Sequence, residues 1–276
     1  MFKSILAVSE GGPDAAMSFK LAARVAGIFD GAVDALHLPV GPAGGMAGGL
    51  AMSGEAMPLI MNIDDERLEA RAKESKAQYD AILAPVKGAT YSAAESATLD
   101  TMVAMGRCSD VVVLGRPGAD PENVAPATVE AAIYECARPV MIAPPTAGTG
   151  GFSNVIVAWN GSFQAARAVE YALPFLAKAT QVTLLVVGSK PDDVGASYLA
   201  RNLGRQGIKT VTDAIDPGAV SGRARGRALL DYTHGKGSDL LVMGAYGRGQ
   251  VLSFLGMGGA TGKVISSCRV PLLLAH

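Results

Sequence analysis

Ser109-Asp-Val-Val-Val-Leu-Gly115 returns 129 residues later as Ser238-Asp-Leu-Leu-Val-Met-Gly244. Both are continuous apolar runs entered through Ser-Asp and left through glycine, as expected of strands buried on both faces. Two more pairs flank them. Lys3-Ser-Ile-Leu-Ala-Val-Ser9 matches Ser153-Asn-Val-Ile-Val-Ala-Trp159 at an offset of 150, and Ala137-Arg-Pro-Val-Met-Ile-Ala-Pro144 matches Arg269-Val-Pro-Leu-Leu-Leu-Ala-His276 at 132. Order is kept while spacing changes, so the chain holds two copies of one unit with loops of different length. They meet in Pro144-Pro-Thr-Ala-Gly-Thr-Gly-Gly151, a linker by composition, which divides the chain into residues 1–146 and 152–276.

Around these anchors, apolar runs at 5–8, 32–38, 90–94, 111–114 and 140–143 alternate with helical patterns over 13–29, 62–83, 98–107 and 126–136. The second copy places strands at 155–159, 182–187, 209–214, 240–243 and 272–275, and helices at 162–177, 192–206, 217–234 and 259–268. Strands without polar alternation, each followed by a helix, predict a parallel sheet covered on both faces. The fold class is therefore α/β: two tandem, doubly wound, five-stranded domains. Residues 40–61, with four methionines, are extra in the first copy and read as a loop between strand 2 and helix 2, with a lid or an adaptable binding surface as the functional reading.

Composition agrees. The 276 residues suit about two domains. Hydrophobic residues make up 49% and charged residues 18%, which excludes disorder as the main description. With 24 Lys+Arg against 25 Asp+Glu there is no basic field to draw in nucleic acid or an anionic membrane surface. The uncharged stretch 35–54 contains two prolines and six glycines and does not read as a membrane span. Three cysteines without a CxxC pair fit a reducing compartment, and the apolar run 5–8 is too short for a signal-peptide core. A cytoplasmic protein is expected.

In open α/β sheets ligands bind beyond the carboxyl ends of the strands, where strand order reverses. There the second copy carries Met243 and Gly244, then Gly247, Arg248, Gly258, Gly259, Thr261 and Lys263. Glycines let backbone approach a ligand closely, and the N–H groups opening the last helix favour an anion. Arg248 and Lys263 add positive charge. Without a ligand the same residues make an ordinary glycine-rich strand-to-helix connection.

This loop, its flanking strands, and Val155-Ile-Val-Ala-Trp-Asn-Gly-Ser-Phe-Gln-Ala-Ala-Arg-Ala-Val169 resemble the universal stress protein family, across the whole chain as two tandem domains and more strongly in the second. The resemblance implies that the last strands pair edge to edge about a pseudo-two-fold axis, giving a monomeric pseudo-dimer or a homodimer of it. It also implies a stress-response or regulatory protein with an unidentified protein partner. Nucleotide-binding members carry G-x2-G-x9-G-[Ser/Thr], with ATP, and Mg²⁺ with it, across strands 1 and 4. Here ten residues separate Gly247 from Gly258, and Gly259 stands where a hydroxyl is expected, leaving Thr261 to supply one. Asn160 replaces the family's acidic residue after strand 1, Val187 matches a position flanking adenine, and Trp159 offers either base stacking or a packed rim. In the first domain Thr128 stands at the third glycine, and Asp120 and Glu122 would repel phosphates, so that site is expected to be empty.

Other chemistries fit less well. Gly258-Gly-Ala-Thr-Gly-Lys-Val264 is not a P-loop, because Met257 and Val264 stand where glycine and a hydroxyl are needed. Ser9-Glu-Gly-Gly-Pro-Asp-Ala15 resembles the SGGxDS loop of ATP pyrophosphatases, yet Glu10 and Ala15 remove two hydroxyls, so an adenylating enzyme is the lesser alternative. The three histidines lack metal-ligand spacing. Cys136 and Cys268 read as small residues buried at helix ends rather than a redox pair, and Arg223, Arg225 and Arg227 as a solvated helix face rather than a docking surface for an acidic partner. No catalytic residue is assigned, and weak ATP hydrolysis is the most that is expected. The competing class is a nucleotide-free scaffold or binding protein with both sites degenerate.

Overall fold

The computed structural model describes all residues except 13–14, 40–56, 95, 119–122, 147, 217, 219–220 and 247–258. The first half runs β1 (Ser4–Ser9), α1 (Ala15–Phe29), β2 (Ala32–His37), α2 (Met57–Ile82), β3 (Thr90–Ser92), α3 (Leu99–Cys108), β4 (Val111–Leu114), α4 (Pro126–Glu135), β5 (Val140–Ile142). The second half runs β6 (Asn154–Ala158), α5 (Phe163–Leu176), β7 (Gln181–Val187), α6 (Ala196–Arg205), β8 (Thr210–Ile215), α7 (Gly222–Gly235), β9 (Leu240–Gly244), α8 (Ala260–Ser267), β10 (Leu272–Ala275).

All ten strands form one sheet, in the order β3-β2-β1-β4-β5-β10-β9-β6-β7-β8. Among the described strands only β5 and β10 pair antiparallel, with Met141 opposite Leu273. Each half is the doubly wound five-stranded unit that the repeat predicts, and the last strands join the halves edge to edge. Along the inner strands successive residues enter opposite layers. Ile5, Ala7, Val111 and Val113 pack with α1 and α5, whereas Leu6, Val8, Val112 and Leu114 pack with α3, α4, α7 and α8. This double burial is why the strand sequences show no polar alternation.

A second junction lies on the α1/α5 face. Phe175 of α5 sits 5.0 Å from Phe2, 4.9 Å from Phe29 and 5.0 Å from Phe152, ring centre to ring centre. Arg24 of α1 lies over the Phe152 ring at 3.9 Å and donates to the carbonyls of Gly150 and Gly151. The linker is thus held against the first half.

Three sequence expectations need correction. The helix over 192–206 is broken: a 3-10 turn at Asp192–Val194 stops at Gly195, whose φ of 69° is left-handed, and α6 starts afterwards. The helix expected from 217 begins at Gly222 behind the N-cap Ser221, whose hydroxyl accepts from Ala224 N–H. Residues 57–61 of the extra segment are helical, the start of α2, while 40–56 lie outside the described residues. Among the described residues, no helix is long and apolar enough to cross a membrane.

Candidate functional site

Strand order reverses between β6 and β9, and beyond their carboxyl ends lies a cavity of about 550 Å³. Such a volume suits a small ligand, for which pockets run ~300–1,000 Å³. Of the sequence-predicted site residues, Trp159, Asn160, Val187, Met243, Gly244, Gly259 and Thr261 all line it. Gly247, Arg248 and Gly258 lie outside the described residues.

Three helix N-termini converge on this space. The α5 start arrives through Asn160, Gly161 and Ser162. The Asn160 Oδ1 accepts from the Ser162 N–H at 3.1 Å and the Ser162 hydroxyl at 2.7 Å, while Ser162 Oγ accepts from Ala165 N–H. That turn leaves the Asn160 amide NH₂ without a partner among the described residues. The α7 start arrives through Gly222 and Arg225, and the α8 start through Gly259, Ala260, Thr261 and Gly262. Among the described residues no side chain caps α8, whose first N–H groups have no intrahelical partner. None of the three helices has an acidic residue in its first turn.

Glycines make the convergence feasible. A Cβ on Gly226 would stand 2.9 Å from the Ala260 carbonyl oxygen, so α7 packs backbone against the head of α8. Gly244 has a different reason from the one expected. Its missing Cβ makes room for α5: an added one would lie 2.6 Å from Ala165 N and 2.8 Å from Gln164 Cβ. Because helix backbone cannot give way, Gly244→Ala is expected to destabilise the fold by about 1–3 kcal/mol. The urea midpoint should fall with unchanged slope, and an unmoved midpoint would show that β9 and α5 can separate freely.

The remaining wall is apolar, from Leu185, Val187, Leu229 and Met243. Trp159 is an anchor: its indole N–H donates to Val194 O at 2.8 Å, and its ring also borders a smaller cavity of about 320 Å³ between α5 and α6. Thr261 Oγ1 accepts from Tyr246 N–H at 3.3 Å, bracing the glycine loop while leaving its own proton to donate. Tyr246 holds a left-handed φ of 51°, unusual for a bulky residue. It stacks on Tyr134 of α4 with ring centres 5.5 Å apart, so the cavity wall touches the first half. Burial, with Tyr134 and Glu130 nearby, pushes the Tyr246 phenol well above its ordinary value.

Arg225 has a place that the sequence reading did not single out. It is exposed, as a solvated face would be, but it lines the cavity and is the only charged side chain among the described lining residues. With Arg223 it places positive charge on the positive end of α7, an arrangement that an anion relieves. A signal was present in the sequence: arginines in the first turns of a helix that lacks Asp or Glu there. Buried Cys136 and Cys268 are held protonated, Cys136 with its pKa raised to about 11, consistent with packing roles.

The corresponding place in the first half looks different. The repeat aligns Glu10 with Asn160, and Gly11 with Gly161, both left-handed at φ 79° and 71°. Glu10 is 4% exposed. Its carboxylate accepts from Ala125 N–H at 2.9 Å and from the Thr128 hydroxyl at 2.6 Å, on the N-cap and first turn of α4. The Glu10 carboxylate thus sits at the head of α4, while Asp120 and Glu122 lie outside the described residues. Above it, Gln78 of α2 donates to Gly12 O, and a Cβ on Gly11 would overlap the Arg71 carbonyl.

Burial raises the Glu10 pKa above its ordinary 4.5, against the lowering pull of the Thr128 and Ala125 hydrogen bonds and of Arg71. A raised folded-state value contributes stability that is present below pH 4.5 and is lost as pH rises through the folded value. The melting temperature of wild type minus that of Glu10→Gln should therefore fall as pH increases from 4.5 towards neutrality. A difference that is flat or rises over that window would reverse the assignment.

Comparison with known proteins follows the same division. Residues 151–276 match the model of the universal stress protein family. Over 99% of this chain and 95% of its own, a universal stress protein from Archaeoglobus fulgidus superposes with a TM-score of 0.63 at 16% identity. A Pseudomonas aeruginosa protein assigned to the same family covers 99% of this chain and 93% of its own, with a TM-score of 0.55 at 12% identity. No curated protein sequence matches.

Proposed function

Since residues 151–276 belong to the universal stress protein family, we propose that this half binds an adenine nucleotide, ATP in the first instance, and that the chain acts as a cytosolic stress-response or regulatory protein. The observation that carries the reading is the N-terminus of α8, uncapped among the described residues, facing the same cavity as Arg225, with no carboxylate on the described wall. Helix N–H groups and a guanidinium suit a polyphosphate. The apolar side at Leu185 and Val187 suits a base, and the Asn160 amide can donate to an acceptor on the nucleoside. Among the described residues no group of three or more His, Cys, Asp or Glu is placed to hold a metal, so Mg²⁺ would enter as the counter-ion of the phosphates. The reading is one of binding, and no residue is given a catalytic role. Glu10 favours a structural role for the first half.

Calorimetric titration of the intact chain with ATP and Mg²⁺ tests the reading. One site per chain is expected. Absence of heat at millimolar nucleotide, with no displacement of a fluorescent ATP analogue, would overturn it in favour of a nucleotide-free scaffold.

A further inference from the structure

The two halves place different residues at one position, and the difference has a chemical meaning. In the second half the residue is Asn160, and the head of α8 beyond it borders the cavity and has no side-chain cap among the described residues. In the first half the residue is Glu10, and the head of the corresponding helix α4, also without a cap from its own N-cap residue, is satisfied by the Glu10 carboxylate. Ala125 and Thr128 donate to different oxygens of that carboxylate, so it bridges the N-cap backbone and the first turn as an oxyanion ligand would. The surroundings close over it. Arg71 acts on it from α2, Gln78 and Gly12 are bonded beside it, and Leu38, which by strand register stands where Val187 lines the open cavity, is buried.

We propose that Glu10 is the first half's built-in anionic occupant, and that the Glu10/Asn160 difference decides which half accepts an external anion, so that the chain takes one nucleotide rather than two. The choice of ligand class rests on the reading above; the role of Glu10 as occupant does not. Transplanting the carboxylate should close the open site. In Asn160→Glu the new carboxylate is expected to turn towards the N–H of Gly259, the N-cap of α8 as Ala125 is of α4, and to meet the incoming phosphates with like charge.

The experiment combines equilibrium dialysis of ATP with Mg²⁺ and amide hydrogen exchange, read by NMR on the intact chains. Asn160→Glu should bind ATP at least about tenfold more weakly than Asn160→Gln, which has the same length without the charge. Ligand-free Asn160→Glu should show new protection of the Gly259 amide. Glu10→Asn should lose protection at Ala125 and bind ATP in the second half as wild type does. Equal affinity of the two Asn160 variants, or unchanged Ala125 protection in Glu10→Asn, overturns the proposal. If wild type takes up no ATP, the nucleotide reading fails, and the Ala125 and Gly259 amides still decide whether the carboxylate is the occupant. Should Glu10→Asn not fold, Thr128→Val removes one donor while keeping shape, and loss of Ala125 protection there supports the bridge while full protection refutes it.

Discussion

Charge reversal at Arg225 is expected to weaken ATP binding about a hundredfold, equivalent to ~2.7 kcal/mol. Two effects add. A guanidinium–phosphate contact contributes roughly 1.5–3 kcal/mol where it forms, and a carboxylate in its place repels the phosphates. Arg225 is exposed, so solvent and salt screen part of this, and the gap between wild type and Arg225→Glu should shrink as ionic strength rises. Arg227, on the same helix but not among the cavity-lining residues, is the control. Arg227→Glu makes the same change in net charge and should lose far less affinity. Equal losses for the two variants would mean that general attraction, not a contact at the head of α7, is being measured.

The second large effect concerns the junction between halves. Phe175 is 1% exposed and contacts rings from both halves, Phe2 and Phe29 on one side and Phe152 on the other. Phe175→Ala removes a buried ring and leaves a cavity, for which losses of about 3–5 kcal/mol are usual. In a chain of this size that corresponds to a melting temperature lower by about 10 °C. Scanning calorimetry checks it. A drop of under about 3 °C would show that α5 closes the gap and that the β5–β10 pairing alone carries the junction.

Much of this architecture could be read from local pattern. Buried parallel strands announce themselves as apolar runs, and three repeated runs fix the order of elements in both halves. The cavity's location follows from topology, which places Gly244 near it before any coordinates, while Asn160, Val187 and Thr261 are singled out by the family resemblance. What stayed hidden depends on partners far along the chain. Glu10 meets Ala125 across 115 positions, and in the sequence it registers only as a missing hydroxyl in a loop. Arg225 looks like any exposed helical arginine until the packing of α7 on α8 turns its first turn towards the strand ends. Gly244 could be called a loop glycine, yet only the approach of α5 explains why no side chain is tolerated there. The break at Gly195 was missed because a charged, helix-favouring stretch surrounds a single left-handed residue.

The antiparallel meeting of β5 and β10 has a further consequence. Two identical chains joined about a two-fold axis share every substitution: a carboxylate introduced into one cleft appears in the other as well. A single chain that contains both partners is free of that constraint. One copy can give up its ligand, fill the vacated position with one of its own side chains and specialise as a fixed support, while the other keeps an open mouth. Nor can the pair come apart on dilution, because the linker holds both at high effective concentration. On the proposed reading, one chain that carries both halves can therefore keep a permanently filled position beside an open one.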